Sequence, residues 1–233
     1  MSDAATGTTG MTGMTGLTVL VGGGRDEEQV RRLLTPFLEA AGTGEVAAVV
    51  VDDGEGVDLA RWRGLLADAT GVRDVVLSAG RPLEPADLDG VAGVFVAGGL
   101  TPLYAELVVP QRDLLATLPY AGFSAGAAIA SERAIVGGFL VDGVAVCPED
   151  AAEDLGDVTV VDGLGRVPFA VDVHAAQWGT LPRAVAAVGA GLVPEARAVD
   201  EHTALVVRDG QVQVVGAGQA LRVRPGPDGV VVG

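Results

Sequence analysis

The chain has 233 residues, 49% of them hydrophobic and only 4% aromatic. That apolar content, carried by Val, Ala and Leu, builds a full core, which excludes disorder as the overall state and suits buried parallel strands beside alanine-rich helices. The formal charge of −16 repels phosphate, so nucleic acid and anionic membrane surfaces are excluded as partners. A single cysteine, Cys147, excludes a disulfide framework, and with only His174 and His202 a metal site or metal cofactor is not expected. No apolar run reaches the roughly 18 residues of a membrane span. The start, MSDAATGTTG, has neither a basic region nor an apolar core, so a cytoplasmic location is expected.

Residues 1–16 repeat Thr-Gly pairs and read as a flexible tail. Residues 17–233 read as one α/β domain. LTVLV, from Leu17, is a buried strand ending at Gly22, Gly23 and Gly24. Positions Val30, Leu33, Leu34, Phe37 and Leu38 have helical spacing, which predicts a helix over 27–41 with Gly42 as its stop. EVAAVVV is a second strand, followed by a helix near 59–69. DVVLS (74–78) and the strand at 94–97 come next, and then a helix over 102–117. The alternation predicts a three-layer α/β fold, an open and mostly parallel sheet with helices on both faces. From Ala198 onward, TALVVR, QVQVVG and ALRVR are separated by tight turns and predict antiparallel hairpins extending one edge.

The triple glycine after the first strand lacks the G-x-G-x-x-G spacing, and Glu27 and Glu28 follow where a pyrophosphate would approach. It reads as a tight turn. Gly122-Phe123-Ser124-Ala125-Gly126 is a G-x-S-x-G sequence between a strand and a helix-forming segment, the context of a nucleophile elbow. The other reading is a small-residue turn packing a helix on the sheet. As an elbow it exposes the Ser124 hydroxyl and aims helix N–H groups at a developing oxyanion. A serine needs a base. His174 follows the strand-like VPFAVDV and so falls at a carboxyl strand end, whereas His202 follows Glu201 at the start of another strand. His174 is favoured as the base.

These segments resemble the dipeptidase E and cyanophycinase family of serine peptidases, whose fold is similar to class I glutamine amidotransferases. VLVGGG, FVAGGLTPLYAEL, GFSAGA, VDVHAAQWGTLPR and AVDEHTALVV match in order. The resemblance implies Ser124 as nucleophile, His174 as base and Glu201 as the orienting acid, with an oxyanion hole from the amides of Gly99 and Ala125. Thr101, Gln177, Trp178 and Arg183 are expected to line or bind substrate, as is Asp172, which shares a strand face with His174 and is also a rival acid. After the histidine, cyanophycinase-like relatives carry arginines at the fourth and sixth positions. Here these are Trp178 and Thr180, and only the third arginine is matched, by Arg183. An indole does not pair with a carboxylate, so the expected substrate has a neutral or apolar residue where relatives take aspartate. The expected activity is hydrolysis of a small peptide or isopeptide amide through an acyl-enzyme. An esterase or amidase acting on a natural product, and a non-catalytic binding protein of this fold, are the alternatives. A homodimer is left open.

Overall fold

The structure is a computed structural model that describes residues 16–233. The expected Thr/Gly tail lies almost entirely outside the described residues. In chain order the elements are β1 (Thr18–Val21), α1 (Glu27–Ala41), β2 (Glu45–Val51), α2 (Leu59–Leu65), β3 (Gly71–Leu77), β4 (Gly93–Val96), α3 (Thr101–Val108), α4 (Arg112–Leu115), β5 (Tyr120–Phe123) and α5 (Ala125–Ala128). They continue as β6 (Arg133–Gly137), β7 (Leu140–Val141), β8 (Val144–Ala145), β9 (Thr159–Asp162), β10 (Ala170–Val173), α6 (Leu181–Gly189), β11 (Ala196–Val199), β12 (Thr203–Arg208), β13 (Gln211–Gly216), β14 (Ala220–Gly226) and β15 (Gly229–Val232).

The central sheet has seven strands in the order β13-β12-β1-β5-β4-β2-β3. The five from β1 to β3 pair in parallel, and β12 and β13 add an antiparallel edge. Helices flank this sheet, as the alternating pattern predicts. Strands β1, β4 and β5 are buried at every position, which is why they read as unbroken apolar runs.

Helix α1 begins where expected because the Asp26 side chain accepts from the Gln29 amide at 3.1 Å, and Glu27 and Glu28 favour the positive end of the helix. It stops at Gly42, whose N–H bonds to Leu38 O at 3.0 Å with a φ of 63°. Leu34 and Phe37 are fully buried on its inner face, each contributing roughly 1.5–3 kcal/mol.

Two expectations are corrected. The helix expected over 102–117 is broken: Pro110, in a 3-10 turn over Val109–Gln111, has no N–H to continue the ladder, so α3 and α4 are separate. The C-terminal hairpins also part company. The β12–β13 hairpin extends the β1 edge, but β14 and β15 join a second four-stranded sheet in the order β10-β11-β14-β15. That sheet and α6 enclose a smaller apolar cluster around Ala184, Ala187, Val188, Ala196 and Val223. His174 therefore leaves a strand of the second sheet, not of the sheet that carries Ser124.

Candidate active site

Strand β5 ends at Phe123, and the chain turns sharply into α5. Ser124 has φ 52° and ψ −110°, a conformation that L-residues rarely adopt. Its amide is tied to Val21 O of the neighbouring strand at 2.9 Å. The two glycines of the motif are required by close approach. A Cβ on Gly122 would lie 2.3 Å from Gly126 O, and one on Gly126 would lie 2.2 Å from Val96 O. The helix that follows is one four-residue turn, shorter than the sequence suggests.

Although β10 belongs to the second sheet, its end docks on the first. His174 N donates to Gly22 O at 3.0 Å, immediately beyond β1. A Cβ on Gly23 would lie 2.1 Å from His174 Cε1, so the triple glycine after β1 makes room for an imidazole. That explains the motif without a nucleotide. Ser124 Oγ and His174 Nε2 are 2.9 Å apart, and His174 Nδ1 and Glu201 Oε1 are 2.8 Å apart. Ser124 and His174 are both buried. Burial pushes the His174 pKa below its ordinary value, and the hydrogen bond that its ring donates to Glu201 partly opposes this. A neutral imidazole linked to a hydroxyl on one side and a carboxylate on the other can accept a proton and remain oriented while charged. His202 is elsewhere: its Nε2 accepts from Asp26 N at 3.1 Å, at the start of α1.

These residues face a cleft of about 730 Å³ formed at the carboxyl ends of the parallel strands. Gly98, Gly99 and Leu100 line it after β4, and a Cβ on Gly98 would lie 3.0 Å from Ser124 Cβ. Ala125 opens α5, so its amide is one of the N–H groups that a helix start leaves without an intrahelical acceptor. One wall is aromatic, with Trp62 and Phe123 beneath Arg61, whose Cζ is 4.8 Å from the Trp62 ring centre. Glu149, Asp150, Glu153 and Asp154 also line the cleft. With Asp53 and Glu201, six carboxylates face two guanidiniums, those of Arg25 and Arg61.

The other expected site residues are distributed differently. Trp178 lines the cleft, with its ring stacked on His174. Asp172 and Arg183 do not line it. They form a bidentate ion pair in the interior, 1% and 4% exposed, with Arg183 also donating to Ala151 O at 2.5 Å. The alternation along β10 does put Asp172 on the His174 side of the strand pattern, but α6 delivers a buried cation to it. Gln177 Oε1 accepts from Glu201 N at 2.8 Å and so braces the acid rather than facing the cleft. Thr101 is buried at the start of α3, where its amide donates to Glu153 Oε2 at 2.9 Å. Glu153 was not foreseen. It lies 52 residues from Thr101 and no local pattern marks it. Burial raises its pKa.

No protein-family model matches the chain. The cyanophycinase of Trichormus variabilis (strain ATCC 29413 / PCC 7937) is 27% identical over 226 residues, covering 89% of this chain and 73% of the relative. The cyanophycinase of Nostoc sp. (strain PCC 7120 / SAG 25.82 / UTEX 2576) matches to the same extent. The chain is thus similar in sequence to cyanophycinases. Its fold is shared with a peptidase from an acI-B1 Actinobacterium, at a TM-score of 0.63 and 20% identity, over 94% of this chain and 93% of the other. A putative peptidase E protein from Listeria monocytogenes EGD-e superposes with a TM-score of 0.57 and 17% identity, over 87% of this chain and 99% of that one. The similarity to cyanophycinases supports a peptidase, and therefore a hydrolase, at the level of the family. Among the described residues no helix is long and apolar enough to cross a membrane.

Proposed function

We propose that this protein is a serine peptidase that hydrolyses a small peptide or isopeptide amide through an acyl-enzyme. The observation that carries this reading is the unbroken hydrogen-bonded line from Ser124 Oγ through the His174 ring to Glu201. His174 Nε2 takes the Ser124 proton as Oγ attacks the scissile carbonyl, and then delivers it to the leaving amine. Water then attacks the acyl carbon and gives a proton to the same nitrogen, and as the bond from that carbon to Ser124 Oγ breaks the proton passes to Oγ and the acid product leaves. Glu201 holds the Nδ1–H tautomer and offsets the charge of the imidazolium. The amides of Gly99 and Ala125 donate to the oxyanion.

The cleft supports a substrate choice unlike that of an aspartate-selective relative. A carboxylate brought into such a site must be paired or it loses hydration uncompensated. Trp178 and Thr180 stand where relatives carry arginine, Arg183 is committed to Asp172, and the cleft that holds Ser124 is lined by more carboxylates than guanidiniums. The enzyme therefore prefers a neutral or cationic residue where relatives take aspartate, by on the order of 1–3 kcal/mol. The test is kcat/KM on matched Leu-Xaa, Phe-Xaa, Arg-Xaa and Asp-Xaa dipeptides. An aspartyl preference of about tenfold or more, equivalent to roughly 1.4 kcal/mol, would overturn the specificity. Turnover surviving in Ser124→Ala would overturn the mechanism.

A further inference from the structure

We propose that Trp178 is a positioning residue for His174, a role that rests on the hydrolytic reading above. The two rings are parallel within 6°, with centroids 3.8 Å apart. Local backbone geometry produces the stack. His174 has a left-handed φ of 55°, and a single π-turn, Ala175–Gly179, follows it. Within that turn Trp178 N donates to His174 O at 2.8 Å, which folds the indole back over the imidazole.

The turn is fastened at several other points. Ala176 N donates to Asp200 Oδ1 at 3.0 Å, Gln177 Oε1 accepts from Glu201 N at 2.8 Å, and the Thr180 hydroxyl donates to Val173 O at 2.7 Å. The segment that replaces the relatives' arginines is thus built around the base and its acid.

The stack fixes what the two hydrogen bonds leave free. Ser124 and Glu201 hold the two ring nitrogens through hydrogen bonds that tolerate angular deviation, so the ring can still tilt by rocking about its Cβ–Cγ bond. A flat indole against one face removes that tilt. It also presents a π-cloud to the imidazolium that forms during turnover. Both effects act on the transition state, and neither requires contact with the reacting carbonyl. The indole is 43% exposed, so a smaller side chain there removes the face without opening the core.

The test uses Trp178→Ala and Trp178→Phe with a neutral dipeptide. The alanine variant is expected to lose roughly tenfold or more in kcat with KM changed less than about threefold. The phenylalanine variant, which restores a flat face, is expected to recover most of that loss. A rise in KM with kcat unchanged would make Trp178 a substrate wall and overturn the proposal. A second readout needs no turnover. An imidazolium in face contact quenches indole emission, so the unmodified protein should lose fluorescence on acidification, and His174→Gln should not. Glu201, Asp172 and Arg183 are the charged groups acting on His174, and no change to them is needed. Emission independent of pH in the unmodified protein would overturn the stack. Turnover persisting in Ser124→Ala with the emission change intact would instead remove the serine mechanism alone.

Discussion

Asp172→Asn should cost stability far more than specificity, because Arg183 is an interior cation. Arg183 Nε and Nη2 lie 2.9 and 2.6 Å from the two Asp172 oxygens, and both residues are essentially sealed from water. Asparagine keeps the shape and one acceptor, but it removes the charge and turns an amide donor toward the guanidinium. Breaking one partner of a buried pair typically costs about 3–5 kcal/mol, since the remaining charge is left uncompensated. For a chain of this size each kcal/mol moves Tm by about 2–4 °C, so the fall should be roughly 6–20 °C. Urea unfolding should show a lower midpoint at an unchanged slope. Replacing both partners with apolar residues of similar volume, Asp172→Leu with Arg183→Met, should recover most of the loss. A loss under about 1 kcal/mol, together with altered discrimination between Asp-Xaa and Leu-Xaa, would refute the argument and return Arg183 to the substrate.

Four further outcomes follow from the same geometry. As the proposed base His174 must be neutral, and burial lowers its pKa, so the acid limb of kcat/KM should fall below the ordinary histidine value of about 6.5; a limb at 7 or above in a pH–rate profile would contradict this. The same depressed pKa means the unfolded chain binds the proton more readily, so this histidine's contribution to stability is present above about pH 6.5 and is lost on acidification. Glu153→Gln removes a carboxylate from the Ser124 cleft and should raise the Asp-Xaa to Leu-Xaa ratio of kcat/KM by about threefold to tenfold; an unchanged ratio would show that the acidic lining does not select. His174→Ala should lower kcat by at least about a hundredfold, while His202→Ala should lower it only a few-fold and loosen the start of α1, where His202 accepts from Asp26 N; reversed results would exchange the proposed base.

Much of the frame was legible because its signals are local. The apolar period of α1, its Asp26 cap and its Gly42 stop lie within one segment, and the buried strands of the parallel sheet are unbroken apolar runs. The sharp turn at Ser124 was legible for a related reason: Gly122 and Gly126 are required by contacts made within a few residues of Ser124 and with the adjacent strand. The parts that were not legible depend on partners distant in sequence. Nothing in ALRVRPG states that β14 leaves the β12–β13 edge to pair with β11. Asp172 and Arg183 both carry charge, and only the approach of α6 shows that they neutralise each other instead of a ligand. The Glu153 bond to Thr101 and the Trp178 stack arise from a left-handed residue in each case, which sequence does not announce for Glu or His.

The central claim is that Ser124 is a nucleophile activated by His174, and covalent labelling tests it most directly. The intact protein, treated with a fluorophosphonate and weighed by mass spectrometry, should gain one adduct, located by digestion on the peptide containing Ser124. Ser124→Ala should gain none, and His174→Ala should label far more slowly. An absent adduct, or one on another residue with Ser124→Ala still hydrolysing dipeptides, would contradict the account.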